Sequence, residues 1–565
     1  MDRGQKKTET PGRGPGSKAR DAGGRSKASV GLLQHKIDYT IDRFSGTGVD
    51  TPELLLVPHD LLTSDPSLMS EINSGHFGLD GMFVELEEGG ASIFEHPDTD
   101  DSYNRILHGF SWLRDLRARD DFEAQQEAQR LVFKWMGLVW QPEDIAYEPE
   151  VLARRITSLL SNSSFVLRGV RKDRTRRYMR TLLQQVVELH SKLGETPGGL
   201  SRLRVLSALV MAGLCLSRQN DRLAEVTPLL MEELGEQIYP DGGHCSRNPA
   251  AILHILFEIL PLRQGFISRG KDVPPELDKA IRRMLPMIRF FRLGDSSLAR
   301  FNGASTTPTD ALATLLAYDE RNRPFDAHAK DSGYTRIQEG PVTILCDVGA
   351  PPSLSGARLA HAGCLSFEMT VRHVPLIVNS GAYQGEDRRW RQFARSTQAH
   401  STLVLDDYSS GSFDEKGRLT GPTQINIDRA DLSGLDAIHH GYERQFGLLH
   451  RRQMILSHEG LRLEGVDSLE GVGHAGEAPL SIRFHLHPRI ELARSDEDNL
   501  LMTLPDGEIW RFHAKGAHME MDDSVYLAYR RGPQPAHQIV LQGKARAGMR
   551  VDWLFEQYRA RPNEG

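Results

Sequence analysis

Cysteine is scarce in this chain. Its four residues, Cys215, Cys245, Cys346 and Cys364, stand far apart in 565 positions with no C-x-x-C spacing, which argues against a zinc ribbon or a disulfide scaffold and for free thiols. Long apolar runs are also missing: AILHILFEILPL is interrupted by His254 and Glu258 and falls short of the roughly 20 residues that cross a bilayer. No apolar segment follows the basic start, so the expectation is a chain without a secretory signal. Excess positive charge is lacking as well. A net charge of -7 and a pI near 6.4 argue against a general nucleic-acid binder.

What is present suits a globular protein of two or three domains: 39% hydrophobic and 26% charged residues over 565 positions. The first 28 residues hold eight Lys/Arg against three acids and almost nothing apolar, and the expectation is a disordered basic tail over 1–40. An N-terminal segment, 41–99, follows. Within it HFGLDGMFVELEEGGASIFEH reads as a β-hairpin about EEGG.

From residue 100 to 330 apolar residues recur at i, i+3, i+4 and i+7, as in RRYMRTLLQQVVELHSKL with Leu182, Leu183, Val186, Val187 and Leu189 on one face. Helix follows helix, joined by short breaks such as ETPGG and SRQND. Antiparallel pairs closing into an (α/α) toroid are the economical arrangement. From 331 to 558 the period becomes two, and short strands separated by Gly, Asp and Pro predict an antiparallel β-sandwich.

Chemistry-bearing residues gather at a few places. In YPDGGHCSRNPAAIL, Asp241, His244, Ser246, Arg247 and Asn248 crowd a turn before an apolar helix, where the helix N-terminus favours an anion; capping explains Asn248 equally well. FRLGDSSLARFNGASTTPTD offers Asp295 and Asn302. In the β region His361, Asn379 and His400 each sit at a strand end, where a sandwich can bring metal-capable groups together, although Asn is a poor zinc ligand. GEDRRWRQFARSTQAH carries Arg388, Arg389, Arg391 and Arg395 around Trp390 and Phe393. Guanidinium forks take carboxylate or sulfate and an indole stacks on a sugar, so this segment suits an acidic carbohydrate; a solvated loop is the alternative. His485 and His487 share one strand face.

HAGCLSFEM, PLIVNSGAY and RSTQAHSTLVLDD, in that order, with DGGHCSRNP and LGDSS before them, resemble the conserved blocks of the heparinase II/III-like polysaccharide lyases across about residues 100–555. The resemblance implies a toroid followed by a β-sandwich, and β-elimination on a uronic-acid glycan of the heparin or heparan kind. That reaction neutralises a carboxylate, removes the C5 proton and protonates the leaving oxygen.

The resemblance places a zinc site at His361, Asn379 and His400, and the cell envelope or periplasm as the compartment, with the cytoplasm as the alternative. For elimination it implies His244 as base, Asn248 or Arg247 on the carboxylate and Tyr383 as acid. Asp241, Asn302, Arg388, Trp390, Arg391 and Arg395 are the expected substrate-binding residues. The departures are Asn379 for Asp, Gly363 for Asp, Leu359 where many members carry a catalytic His, and Ser246, Asn248 and Ala251 where relatives often carry acidic, serine and tyrosine residues. A catalytically degenerate glycan-binding protein is therefore the second expectation. A third, an inverting glycosidase, needs two carboxylates about 6.5–9.5 Å apart, with Asp241 and Asp295 as the obvious pair.

Overall fold

The computed structural model describes residues 51–558 apart from 80, 87–92, 97–98, 139, 142, 320–324, 353–355, 386, 474–476 and 530–531. The expected tail and the EEGG stretch lie outside the described residues. A hairpin is present, but its register differs from the expected one: His76–Leu79 pairs antiparallel with Met82–Glu85, Leu79 opposite Met82, and Gly81 has φ +85°.

The helices follow from patterning and caps. In Lys172–Ser191 the buried residues Tyr178, Met179, Leu182, Gln185, Val186 and Leu189 form one stripe, and the remaining face is charged. Leu200–Cys215 and Pro249–Ser268 are buried on nearly every side, which assigns them with Pro149–Val166 to the inner wall of the toroid; these three pack side by side. Lys172–Ser191, Asn220–Gln237 and Pro275–Phe291 lie outside them. Asp100, Asp121 and Asn248 cap their helices by accepting from Tyr103 N, Ala124 N and Ala250 N. The stretch YNRILHGFSWLRDLRA, read as one helix, is two, Asp101–Gly109 and Leu113–Arg119, because Phe110 takes φ 57°. Among the described residues Pro249–Ser268 alone is long and apolar enough to cross a membrane, and it is mostly buried inside the toroid.

Two antiparallel sheets follow. One runs in the order Glu491–Arg494, Asn499–Thr503, Ile509–Lys515, Arg550–Gln557, Arg462–Gly471, Leu448–Leu456, Gly434–His439, Ile425–Asp431. The other runs His518–Tyr526, Gln534–Ala545, Ala478–Leu486, Val374–Val378, Phe367–Val371, Val342–Asp347, Tyr334–Glu339, His328–Ala329, with Leu403–Leu405 also on Ala478–Leu486. Apolar faces of both sheets meet in one core around Phe367, Phe484, Trp510, Phe512, Trp553 and Phe555. Within it Asp467 is wholly buried and fully engaged, accepting from Arg452, His450 and the Trp553 indole. A second core fills the helical region and reaches Tyr334 and Leu345 of the sheet, so helices and sandwich share an apolar seam.

Candidate functional site

The loop 238–248 is closed by hydrogen bonds of its own. Ile238 bridges His244, Tyr239 N donates to Gly243 O, and Arg247 takes φ 58° ahead of the Asn248 cap. His244 is 4% exposed. Its Nδ1 accepts from Ser246 N (3.1 Å) and pairs with Ser246 Oγ (2.7 Å), and its Nε2 meets Gln237 Oε1 (2.8 Å). Burial pushes this imidazole down to about 4, so it stays neutral with both nitrogens occupied. A base needs a free nitrogen within reach of a substrate proton; His244 serves instead as a loop lock.

Arg247 is engaged in the same way. Its guanidinium donates to the carbonyls of Ser332, Gly333, Gly349 and Ala350 and pairs with Asp347, while Tyr334 donates to its carbonyl. It fastens the helical region to the sandwich and has no donor left for a uronate. Asp241 accepts from Ser332 N, Ser332 Oγ and Gly243 N, another tie across the same seam. Asp295 accepts from Ser297 N and Oγ. With both carboxylates spent in turns, the glycosidase pair has no support.

Asn302 links the two regions at the centre. With φ 50° and 1% exposure, it donates to Tyr334 Oη (2.7 Å) and Asp347 Oδ2 (3.2 Å) and accepts from His361 N (3.1 Å). It positions the His361 segment rather than offering an amide to a ligand.

His361 and His400 do come together, Nδ1 to Nε2 at 3.2 Å, with ring planes 77° apart. His400 Nδ1 donates to Ser396 O at 2.7 Å, which leaves its Nε2 as acceptor and assigns the proton of the pair to His361 Nδ1. Burial holds both rings neutral: His400 falls to about 4 despite its bond to Ser396 O, and His361, with His400 and Arg395 adding to the effect, falls well below its ordinary value. Asn379 is wholly buried; its Oδ1 accepts from Ser401 N (3.0 Å) and its Nδ2 has no partner.

A spacing of 3.2 Å suits two nitrogens on one zinc, and a carbonyl behind His400 is the usual outer-shell orienter. The third position decides against the ion. Asn379 supplies no anionic oxygen and its carbonyl is spent, and among the described residues no three His, Cys, Asp or Glu converge. The donor set falls short of zinc, and the pair stands as a neutral histidine hydrogen bond.

Arg388–Arg395 is a helix capped by Asp387, not a loop. Arg395 donates to Ala357, Ala360 and Gly417 carbonyls, pinning the helix to the segment that carries His361; it is a structural arginine. Arg388 and Arg391 are exposed beside half-buried Trp390, which lies between Phe393 (6.1 Å) and Tyr383 (6.5 Å). Tyr383 is half-buried at this rim. His485 is buried between Ser524 Oγ and Gln398 O, and His487 packs on Tyr526; they line no common opening.

The sequence reading passed over Arg300 and Glu368. Both are buried; Arg300 N donates to Glu368 Oε2, its guanidinium ion-pairs with Glu368 (4.0 Å) and Asp295 (3.7 Å) while Nε and Nη1 make no hydrogen bond, and it lies 5.8 Å from the Tyr526 ring. Arg300 stands two residues before Asn302 in a loop read for its turn residues, and Glu368 looks like an outward polar residue in an alternating strand. Neither had a local signal.

The chain thus combines a toroid of helix pairs with an antiparallel sandwich, and the two meet at a polar junction of residues 241–248, 302 and 361–400. Residues 321–554 match the family Heparinase II/III-like, C-terminal. The chain superposes on the crystal structure of heparinase III with TM-score 0.71 and 13% identity, covering 95% of this chain and 92% of that one. On the heparan sulfate lyase HepC of Pedobacter heparinus the values are 0.59 and 14%, over 95% and 88%. In sequence it is 28% identical over 564 residues to FtsZ-localized protein C of Caulobacter vibrioides, 95% of this chain and 94% of that protein.

Proposed function

We propose that this chain binds an acidic polysaccharide at the rim formed by Arg388, Trp390, Arg391 and Tyr383, and that it holds the glycan without cleaving it. The observation that carries the reading is the engagement of His244, with both ring nitrogens hydrogen-bonded inside the loop. Around it, Ala251 stands 1% exposed where relatives often carry tyrosine, and Leu359 is 65% exposed where many carry a catalytic histidine. Among the described residues of the 238–248 loop no histidine keeps a free basic nitrogen for a sugar C5–H, and His400 has both of its nitrogens hydrogen-bonded. The arginine helix offers what binding needs: exposed forks for carboxylate or sulfate beside an aromatic face. The relative from Caulobacter vibrioides is named for where it localises, which sits well with a binding role. The ligand class in this reading is a uronic-acid polysaccharide of the cell envelope.

Elimination is the second reading, and it has a specific support: the fold is that of heparinase III and a heparan sulfate lyase over nearly the whole chain. Tyr383, at the rim, is then the acid. Ultraviolet absorbance of an unsaturated uronate product, followed beside direct binding on a panel of acidic polysaccharides, separates the two. Binding with no absorbance supports the first reading; a rise in absorbance establishes the second.

A further inference from the structure

The inner helices of the toroid, Pro149–Val166, Leu200–Cys215 and Pro249–Ser268, line an opening of about 760 Å³, and residues 59–83 and 106–115 complete it. The N-terminal segment runs past the end of Leu200–Cys215, where Leu55 N donates to Cys215 O and Ser217 N to Glu53 O. None of the lining residues belongs to the 238–248 loop or to the sandwich.

The charges in this opening are unequal. Five carboxylates, Asp60, Asp65, Glu71, Asp115 and Glu258, line it against Arg114, Arg154 and Arg204. Around Arg204 the charges balance: it pairs with Glu150 and Glu258, and both also act on Arg154. Around Asp115 they do not. Arg114 pairs with Asp60 at 2.8 Å, and among the described residues Asp65, Glu71 and Asp115 have no cation at ion-pair distance. These carboxylates form one row, since Asp65 N donates to Asp115 Oδ1, Ser67 N to Asp65 Oδ1 and Ser67 Oγ to Glu71 Oε1. Burial, with Asp65 and Asp60 adding to it, pushes the Asp115 carboxyl up to about 6 against the opposing influence of the Asp65 N bond and Arg114.

Two further features mark the opening as a place for a ligand. The Phe83 ring is 63% exposed on its wall, and Glu71 Oε2 lies beside it: both come within 3 Å of the point that a Cβ on Gly78 would occupy. A carboxylate next to an exposed aromatic ring, with a glycine leaving the space between them open, is the pairing that holds an organic cation. Independently, Ser207 is 2% exposed, lines the opening, and its hydroxyl has no partner. A buried hydroxyl left unpaired is costly, and a polar ligand relieves it.

We infer that the opening inside the toroid binds a small molecule carrying a primary ammonium group, an amino sugar or an alkyl amine. The ammonium donates to Glu71 Oε2 and lies against the Phe83 ring, where a charge-assisted hydrogen bond and cation–π attraction act together. Asp65 and Asp115 extend the negative field, and Ser207 Oγ meets the body of the ligand. A volume of about 760 Å³ lies within the roughly 300–1,000 Å³ of small-molecule sites, too small for a long polysaccharide. The ligand is opposite in charge to that of the arginine rim, and this site stands whether or not the rim holds a glycan.

The test is calorimetric titration of the full chain with two amines, glucosamine and pentylamine, and their uncharged counterparts, glucose and pentanol. Wild type, Glu71→Gln, Phe83→Leu and Ser207→Ala are compared, with Tm measured for each. The expected result is that one amine binds wild type about tenfold or more tighter than its uncharged counterpart, the better amine telling amino sugar from alkyl amine. Glu71→Gln weakens that binding about tenfold, and Phe83→Leu and Ser207→Ala each about fivefold. The inference is overturned if neither amine binds wild type, if glucose or pentanol binds as tightly as its amine, or if a variant of wild-type Tm keeps wild-type affinity. Should a variant lose stability, the wild-type comparison of amine with uncharged counterpart decides.

Discussion

The ring of His400 fills the space that a side chain at position 363 would need: a Cβ built on Gly363 lies 2.6 Å from His400 Cδ2 and 3.1 Å from its Nε2. With glycine at 363, the His400 ring has the space it needs to reach His361.

Gly363→Ala is therefore expected to break the pair. Overpacking of this kind costs about 1–3 kcal/mol, read as a fall in Tm, and the low-field NMR resonance of the His361–His400 proton is expected to vanish. An alanine variant with wild-type Tm and an intact resonance contradicts the packing.

Zinc is expected to leave the wild-type Tm unchanged, because two neutral imidazoles and an amide are short of the three or four strong donors that zinc takes. Asn379→Asp restores the missing anionic oxygen. It is expected to be destabilised in chelator, since a buried carboxylate is costly, and to recover stability with stoichiometric zinc. A zinc-dependent Tm in wild type sinks this account of the pair.

Arg247 holds helices to sandwich through four carbonyls and Asp347. Arg247→Ala leaves the Asp347 carboxylate buried with little compensation, a loss of about 3–5 kcal/mol for a broken buried pair. Denaturant unfolding is expected to show that loss, with no effect traceable to a carboxylate-binding role. A stable, fully folded Arg247→Ala chain that loses only glycan binding returns this residue to the ligand site.

Acid sensitivity follows from the buried imidazoles. His244 and His400 are pushed down to about 4 in the folded chain, against an ordinary value of about 6.5 in the unfolded one. Between those values the unfolded chain binds more protons, so stability falls as pH falls, by up to about 1.4 kcal/mol per pH unit for each ring. It is fully present above about pH 6.5 and lost on descending through about pH 4. His244→Gln is expected to flatten the slope of unfolding free energy against pH by one proton. An unchanged slope means that His244 titrates normally and is accessible after all.

The sequence made the two architectures legible because each has its own period: 3.6 in Lys172–Ser191, with a buried stripe, and two in strands such as Arg462–Gly471, where buried and exposed residues alternate. It also pointed to His361 and His400 as a pair, although the structure holds them in loops ahead of Phe367–Val371 and Leu403–Leu405 rather than at strand ends. What it could not show is direction. His244, Arg247 and Arg395 have the right chemistry for a glycan site, yet each turns inward onto carbonyls or side chains supplied by the fold. Arg300 and Glu368 carry no local signal for the opposite reason, being charged residues within ordinary-looking polar patterns whose burial only the tertiary packing reveals.

The central claim is glycan binding without cleavage, and the most direct measurement is a parallel one on purified protein: affinity for heparan-type and other uronic-acid polysaccharides, and ultraviolet absorbance of the same mixtures over prolonged incubation. The account predicts salt-sensitive binding that weakens at least tenfold in Arg388→Ala/Arg391→Ala, with absorbance flat in every mixture. A time-dependent rise in absorbance, abolished by Tyr383→Phe, contradicts it and establishes a working lyase.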